Sequence, residues 1–225
     1  MSQVAIIAGA GTDTVAATAL ALAADGFDVA LLDADETACT TTAARVEDLG
    51  RRAMAVRTDW TDEESADAAI ERVCAGLGEP SVLLTVVPVA GSGQLHALSR
   101  EQWTETTAVP LRAVFLACRA VLDPMIKNGG GRIITVADAA GARTENATVR
   151  TALEGLTRAL AIELAPLGIT AHLLTAPLSV DQLGTRTGRI PTAAEFSARA
   201  ARTAAMLTGT AADSLTGQVL RMAAP

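Results

Sequence analysis

Val4-Ala5-Ile6-Ile7-Ala8-Gly9-Ala10-Gly11-Thr12-Asp13-Thr14-Val15 stands at the start of the chain and sets its architecture. Five apolar residues make a buried strand, two glycines allow a tight turn, and an Ala-rich stretch at helical period begins at Thr14. The same alternation continues downstream. Strands are predicted over 4–8, 28–33, 53–58, 82–87, 131–137, 169–174 and 216–222, and helices over 14–24, 36–49, 62–77, 99–126, 145–167 and 192–207. Strands this apolar, separated by helices, call for a parallel sheet covered on both faces with right-handed crossovers. The expected fold is a doubly wound α/β sheet forming one domain over residues 1–225. Thr192 and Glu195 have the spacing of a capping box that starts the last helix. The Gly/Pro/Thr-rich segment 177–191 reads as a mobile loop.

Bulk properties narrow the function. Half of the 225 residues are hydrophobic, enough for a full core. Aromatic residues are only 2% and the net charge is -7, which argues against nucleic acid as a partner because phosphate binding needs clustered cations. Cys39, Cys74 and Cys118 are odd in number and widely spaced, as expected for reduced thiols in a cytoplasmic protein. The first residues lack the basic and apolar segments of an export signal, and no apolar run reaches the roughly 20 residues of a membrane helix. Two histidines without nearby cysteine clusters give no metal site.

In such folds ligands bind beyond the carboxyl ends of the strands, where the strand order reverses. Gly9 and Gly11 form the first turn there, but the next positions at which backbone would approach a phosphate carry Asp13 and Val15. A carboxylate about 6 Å from a phosphate costs roughly 2 to 3 kcal/mol at an effective dielectric near 20. Asp13 also suits the N-cap of the first helix, accepting from the amides of Val15 or Ala16 and so standing in for a phosphate. Asp33 closes the second strand, where a carboxylate can bond ribose hydroxyls and repel a 2'-phosphate, favouring NAD over NADP. Asp59 follows the third strand as a further nucleotide contact, a cap or a solvated loop carboxylate. His96 lies after the fourth strand on the side where a substrate would enter, whereas His172 falls within a strand and reads as a satisfied core residue.

From Val4 to Met222 the chain resembles a short-chain dehydrogenase/reductase. The resemblance rests on the Gly9 turn, Asp33, Arg57-Thr58-Asp59, Trp103 leading to Leu122 and Met125, Gly131-Arg132-Ile133-Ile134, Gly155 to Gly168, Ile169-Thr170 and Leu215-Thr216-Gly217-Gln218. It implies a seven-stranded Rossmann sheet, a nicotinamide dinucleotide site, and a dimer or tetramer built on the two long helices. The family's catalytic residues do not carry over. Its Asn-Asn-Ala-Gly falls near residues 85–88, its Asn on Pro110, its Ser on Asp138, its Tyr on Asn146, its Lys on Arg150, and its Pro-Gly on Ala176-Pro177; the chain has no tyrosine at all.

The chemistry of these exchanges is severe. The family's Tyr passes a proton while its Lys lowers the Tyr pKa, a contribution of about 10² to 10⁴ in rate. Asn146 cannot ionise, and Arg150 keeps its charge at any usable pH and can hold an anion. Asp138 is the one acid-base candidate of the four, and a salt bridge to Arg150 is its structural alternative. Pro110 fits a bent helix, at the expense of a relay water. Three functions follow: a noncatalytic nucleotide-binding subunit, homo-oligomeric or paired with an active paralogue; an atypical NAD-linked oxidoreductase of a small carbonyl or alcohol using Asp138, His96 or water; and a redox-neutral isomerase, lyase or hydrolase with Asp138 as base.

Overall fold

The computed structural model describes residues 3–9, 12–88, 94–138, 144–176 and 191–222. Seven strands form one sheet in the order β3-β2-β1-β4-β5-β6-β7. They are β1 (Val4–Ala8), β2 (Asp28–Asp33), β3 (Ala53–Arg57), β4 (Pro80–Pro88), β5 (Gly131–Asp138), β6 (Ile169–Thr175) and β7 (Gln218–Arg221). Every neighbouring pair is parallel. The doubly wound fold read from the apolar runs is therefore the fold observed.

Alternation along the strands divides the core in two. Val4, Ile6 and Ala8 of β1 face α3 (Glu63–Gly76), α5 (Val109–Lys127) and α6 (Thr144–Leu164). Ala5 and Ile7 face α1 (Asp13–Ala24), α2 (Glu36–Glu47) and α7 (Ala193–Thr208). Successive strand side chains point to opposite faces, so one five-residue strand feeds both cores. The capping box at Thr192 and Glu195 starts α7 as expected. Segment 177–190, the greater part of the expected loop, lies outside the described residues. No helix among the described residues is long and apolar enough to cross a membrane.

Two expected elements differ. The single helix over 99–126 is three pieces: α4 (Arg100–Trp103), a π-helical turn at Thr104–Ala108, and α5. The Val109 amide reaches back five residues to the Thr104 carbonyl, which widens the turn just ahead of Pro110. Pro110 thus enters at the start of a helix, where its missing donor matters least. The hydroxyls of Thr104, Thr106 and Thr107 donate to the carbonyls of Arg100, Gln102 and Trp103, at 3.0, 2.8 and 2.6 Å, and brace the turn. The second correction concerns α1. Thr12, not Asp13, is its N-cap, because Thr12 is extended (φ -90, ψ 153) and its hydroxyl accepts from the Val15 amide. Asp13 is instead an exposed first-turn residue, and Val15 is buried in the core.

At the amino end of the sheet, buried Asp28 gathers charge. Its carboxylate pairs with Arg51 at 2.9 Å and Arg52 at 2.7 Å, and accepts from the Arg52 amide at 3.1 Å. This joins the start of β2 to the turn before β3. His172 is in the core as expected but is not satisfied: neither ring nitrogen has a well-formed hydrogen bond among the described residues, although the Leu215 backbone lies close by. Burial depresses its pKa, and the charge of Arg132 adds to this. Cys39 and Cys118 are buried and Cys74 half-buried; all three are free thiols, pushed up to about 11, 12 and 11 chiefly by burial.

Two measurements follow. Asp28→Ala strips the Arg52 amide of its acceptor and should cost about 1 to 3 kcal/mol in urea denaturation. His172, with a folded-state pKa below 6.5, contributes full stability above that value and loses it as pH falls. The melting temperature should therefore drop between pH 6.5 and 5, and His172→Leu should flatten that drop.

Candidate functional site

The strand order reverses between β1 and β4, and the carboxyl ends of these strands open a cleft of about 340 Å³. Its floor is Ala8, Gly9 and residues 85–87, with Asp33 and Trp60 on one side and Glu105, Val109 and Pro110 on the other. Gly9 is at φ 126°, and a Cβ there would sit 2.5 Å from the Val86 carbonyl. Only glycine lets β1 turn so close to β4. Gly11 lies outside the described residues.

Asp33 is placed as the sequence suggests. It is 8% exposed, its Oδ1 accepts from the Asp35 amide at 2.9 Å, and its backbone carbonyl accepts from the Thr58 amide. Burial raises its pKa, while the amides of Asp35 and Ala34 oppose that rise. The carboxylate stands in the wall of the cleft.

Asp59 is a correction. It is exposed, its Oδ1 is taken up by the Thr61 amide and hydroxyl at 2.8 and 2.7 Å, and these bonds lower its pKa. Of the three readings it is the loop carboxylate, and it does not line the cleft. Its neighbour Trp60 does, with the indole NH donating to the Leu32 carbonyl at 3.1 Å. The sequence reading missed Trp60; the signal was a tryptophan directly after a strand in a chain with only two.

The first turns of α6 hold a second buried polar group, which is not part of the lining of this cleft. Asn146 and Arg150, one helical turn apart, are each 3% exposed, and Glu145 is completely buried. Asn146 Oδ1, Arg150 Nη1 and both Glu145 carboxyl oxygens lack hydrogen-bond partners among the described residues. Burial lowers the Arg150 pKa to about 10, still cationic at neutral pH. Glu145 was not foreseen, because an acid in the first turn of a helix reads as ordinary helix chemistry. Asp138 ends β5 beside Pro88. Its carboxylate lies outside the described residues, so the expected pairing with Arg150 does too, and Arg150 makes no ion pair among the described ones. His96 sits in a short exposed turn (Leu95–Ala97) and does not line the cleft. No cluster able to hold a metal ion occurs among the described residues.

A parallel sheet of this order, with a glycine turn after β1 and an acid ending β2, is that of a dinucleotide-binding fold, and residues 3–182 match the short chain dehydrogenase family. The chain belongs to the short-chain dehydrogenase/reductase family. It is 36% identical over its whole length to the short-chain dehydrogenase/reductase family member NovK of Streptomyces niveus, covering 96% of that protein. The short-chain reductase protein NovJ of the same organism is 31% identical over 83% of this chain and 74% of its own. Among solved structures, a short chain dehydrogenase from Mycobacterium smegmatis superposes with a TM-score of 0.86 at 26% identity, covering 99% of this chain and 92% of that one.

In a family whose members are named dehydrogenases and reductases, a nicotinamide dinucleotide is the ligand the fold suggests for this cleft. Trp60 gives it an optical handle: NADH bound against the indole should quench tryptophan fluorescence, and Trp60→Phe should remove most of the quench while leaving any signal from Trp103.

Proposed function

We propose that this protein serves NAD(H)-linked oxidoreduction of a small carbonyl or alcohol. The observation that carries the reading is the buried Asp33 carboxylate in the wall of the β1–β4 cleft; buried Asn146 and Arg150 stand in the first turns of α6. The residues present fit the adenosine half of a dinucleotide. Asp33 would hold the ribose hydroxyls, the Trp60 face would flank the base, and the Gly9 turn would admit the diphosphate. When bound, the cofactor supplies hydride. Asp33 selects NAD over NADP by repelling a 2'-phosphate.

The remaining requirement is a proton at the substrate oxygen. Asn146 cannot give one, and Arg150 holds its own too tightly. Asp138 at the end of β5 is the better placed of the two donors foreseen, because His96 is an exposed turn residue. A second reading has specific support as well: the protein acts as the noncatalytic member of a pair, with a related chain carrying the proton step. The absence of tyrosine favours it, as do exposed Phe115 and Ile126 on α5 and Ile162 on α6, which suit a subunit contact. Streptomyces niveus holds two relatives similar along most of this chain, as such a pairing needs.

Calorimetry separates these readings from a cofactor-free enzyme. NAD or NADH should bind at micromolar concentration, NADP at least tenfold more weakly, and Asp33→Ala should narrow that gap; no binding at millimolar nucleotide would defeat the proposal. A carbonyl reductase screen is then run on the chain alone and mixed with a tyrosine-bearing family member. Turnover by the chain alone, reduced about 10² to 10⁴-fold in Asp138→Asn, supports its own acid chemistry. Turnover only in the mixture supports the pair.

A further inference from the structure

We propose that Arg150 anchors an anion subsite, so that the ligand of this site presents a carboxylate or a phosphate to the first two turns of α6. The inference deepens the functional reading above and rests on it for the direction from which the ligand arrives.

A guanidinium carries its charge at any pH the protein meets, and burying such a charge without compensation costs several kcal/mol. Buried arginines are accordingly paired. Among the described residues Arg150 has no such pair, although it is 3% exposed and its Nη1 is wholly enclosed. The carboxylate that acts on it is Glu154, one turn further along α6. Glu154 is already engaged by Arg221 at 3.2 Å and Arg158 at 3.6 Å. Three guanidiniums therefore share one carboxylate, and among the described residues Arg150 is the one without a contact.

The amino end of the sheet makes the opposite arrangement. There one buried carboxylate, Asp28, meets two guanidiniums that both reach solvent.

Asn146 sharpens the point. It lies one turn before Arg150 on the same buried stripe, and its side-chain oxygen is also without a partner among the described residues. An amide can turn to offer its NH2 group, so the pair presents parallel donors to a single acceptor group. Water or a sugar hydroxyl would meet the hydrogen-bonding need of both residues. Neither would offset the charge, and a carboxylate or phosphate does both. The amino end of α6 adds its own positive field.

The full chain is titrated with potassium acetate, methyl phosphate and neutral acetamide at constant ionic strength, with and without NADH, and followed by calorimetry and melting temperature. An anion is expected to bind saturably and acetamide not to bind. Affinity should fall at least tenfold in Arg150→Met and less in Arg150→Lys. Preference for acetate points to a carboxylate on the ligand, preference for methyl phosphate to a phosphate group. Asn146→Asp places a carboxylate one turn from Arg150 and should raise the melting temperature while abolishing the anion response, a result that a misfolded variant cannot mimic. Anion binding unchanged in folded Arg150→Met overturns the proposal. So does a loss of NADH affinity in Arg150→Met with no saturable anion effect in the parent, which would make Arg150 a holder of the cofactor ribose. If no nucleotide binds but the anion does, and depends on Arg150, the oxidoreductase reading falls while this one stands.

Discussion

Gly9 leaves β1 at φ 126° with the Val86 carbonyl so near that any side chain would collide with it. Much else depends on that approach. It lets β1 run beside β4 with Ala8 opposite Thr85 and so brings the carboxyl ends of the two central strands level. The reversal of strand order then leaves an opening instead of a packed seam, and α1 and α5 start on either side of it. A Cβ at this one position would push the strands apart and close the cleft by misaligning its walls. The site is in this sense a property of the backbone before any side chain enters it.

The fold was legible because each strand carries its own signal. Runs such as Ile6-Ile7 and Leu31-Leu32 are buried on both faces, and a parallel sheet between two helical layers is the arrangement that buries them. Asp33 was legible for the same reason: it closes a strand, and the strand could be bounded. What escaped were features set by competition between near neighbours. Thr12 and Asp13 can each cap a helix, and the extended backbone at Thr12 decided between them. The π-helical turn depends on where Pro110 falls relative to four threonine or glutamate positions, and no periodicity reveals a single added residue. Trp60 and Asp59 are adjacent, yet the aromatic lines the cleft and the acid is spent on Thr61. Orphaned buried groups such as Glu145 exist only as a relation among packed elements, so a sequence pattern cannot show them.

The polar groups at the carboxyl edge divide into two kinds. Asp33 and Trp60 are held by backbone partners, Asp35 and Leu32, and their orientation is fixed before a ligand arrives. Asn146 Oδ1 and Arg150 Nη1 have no such partner among the described residues.

The clamp of Asp28 on Arg51 and Arg52 lies at the amino edge, a full strand length from this chemistry. Its position uncouples two kinds of selection. Side chains at the carboxyl edge can be exchanged without releasing the tie of Asp28 that joins the start of β2 to the turn before β3. A lineage with such an arrangement can lose a catalytic residue and still inherit an intact protein, which gives duplicated copies time to acquire a different role.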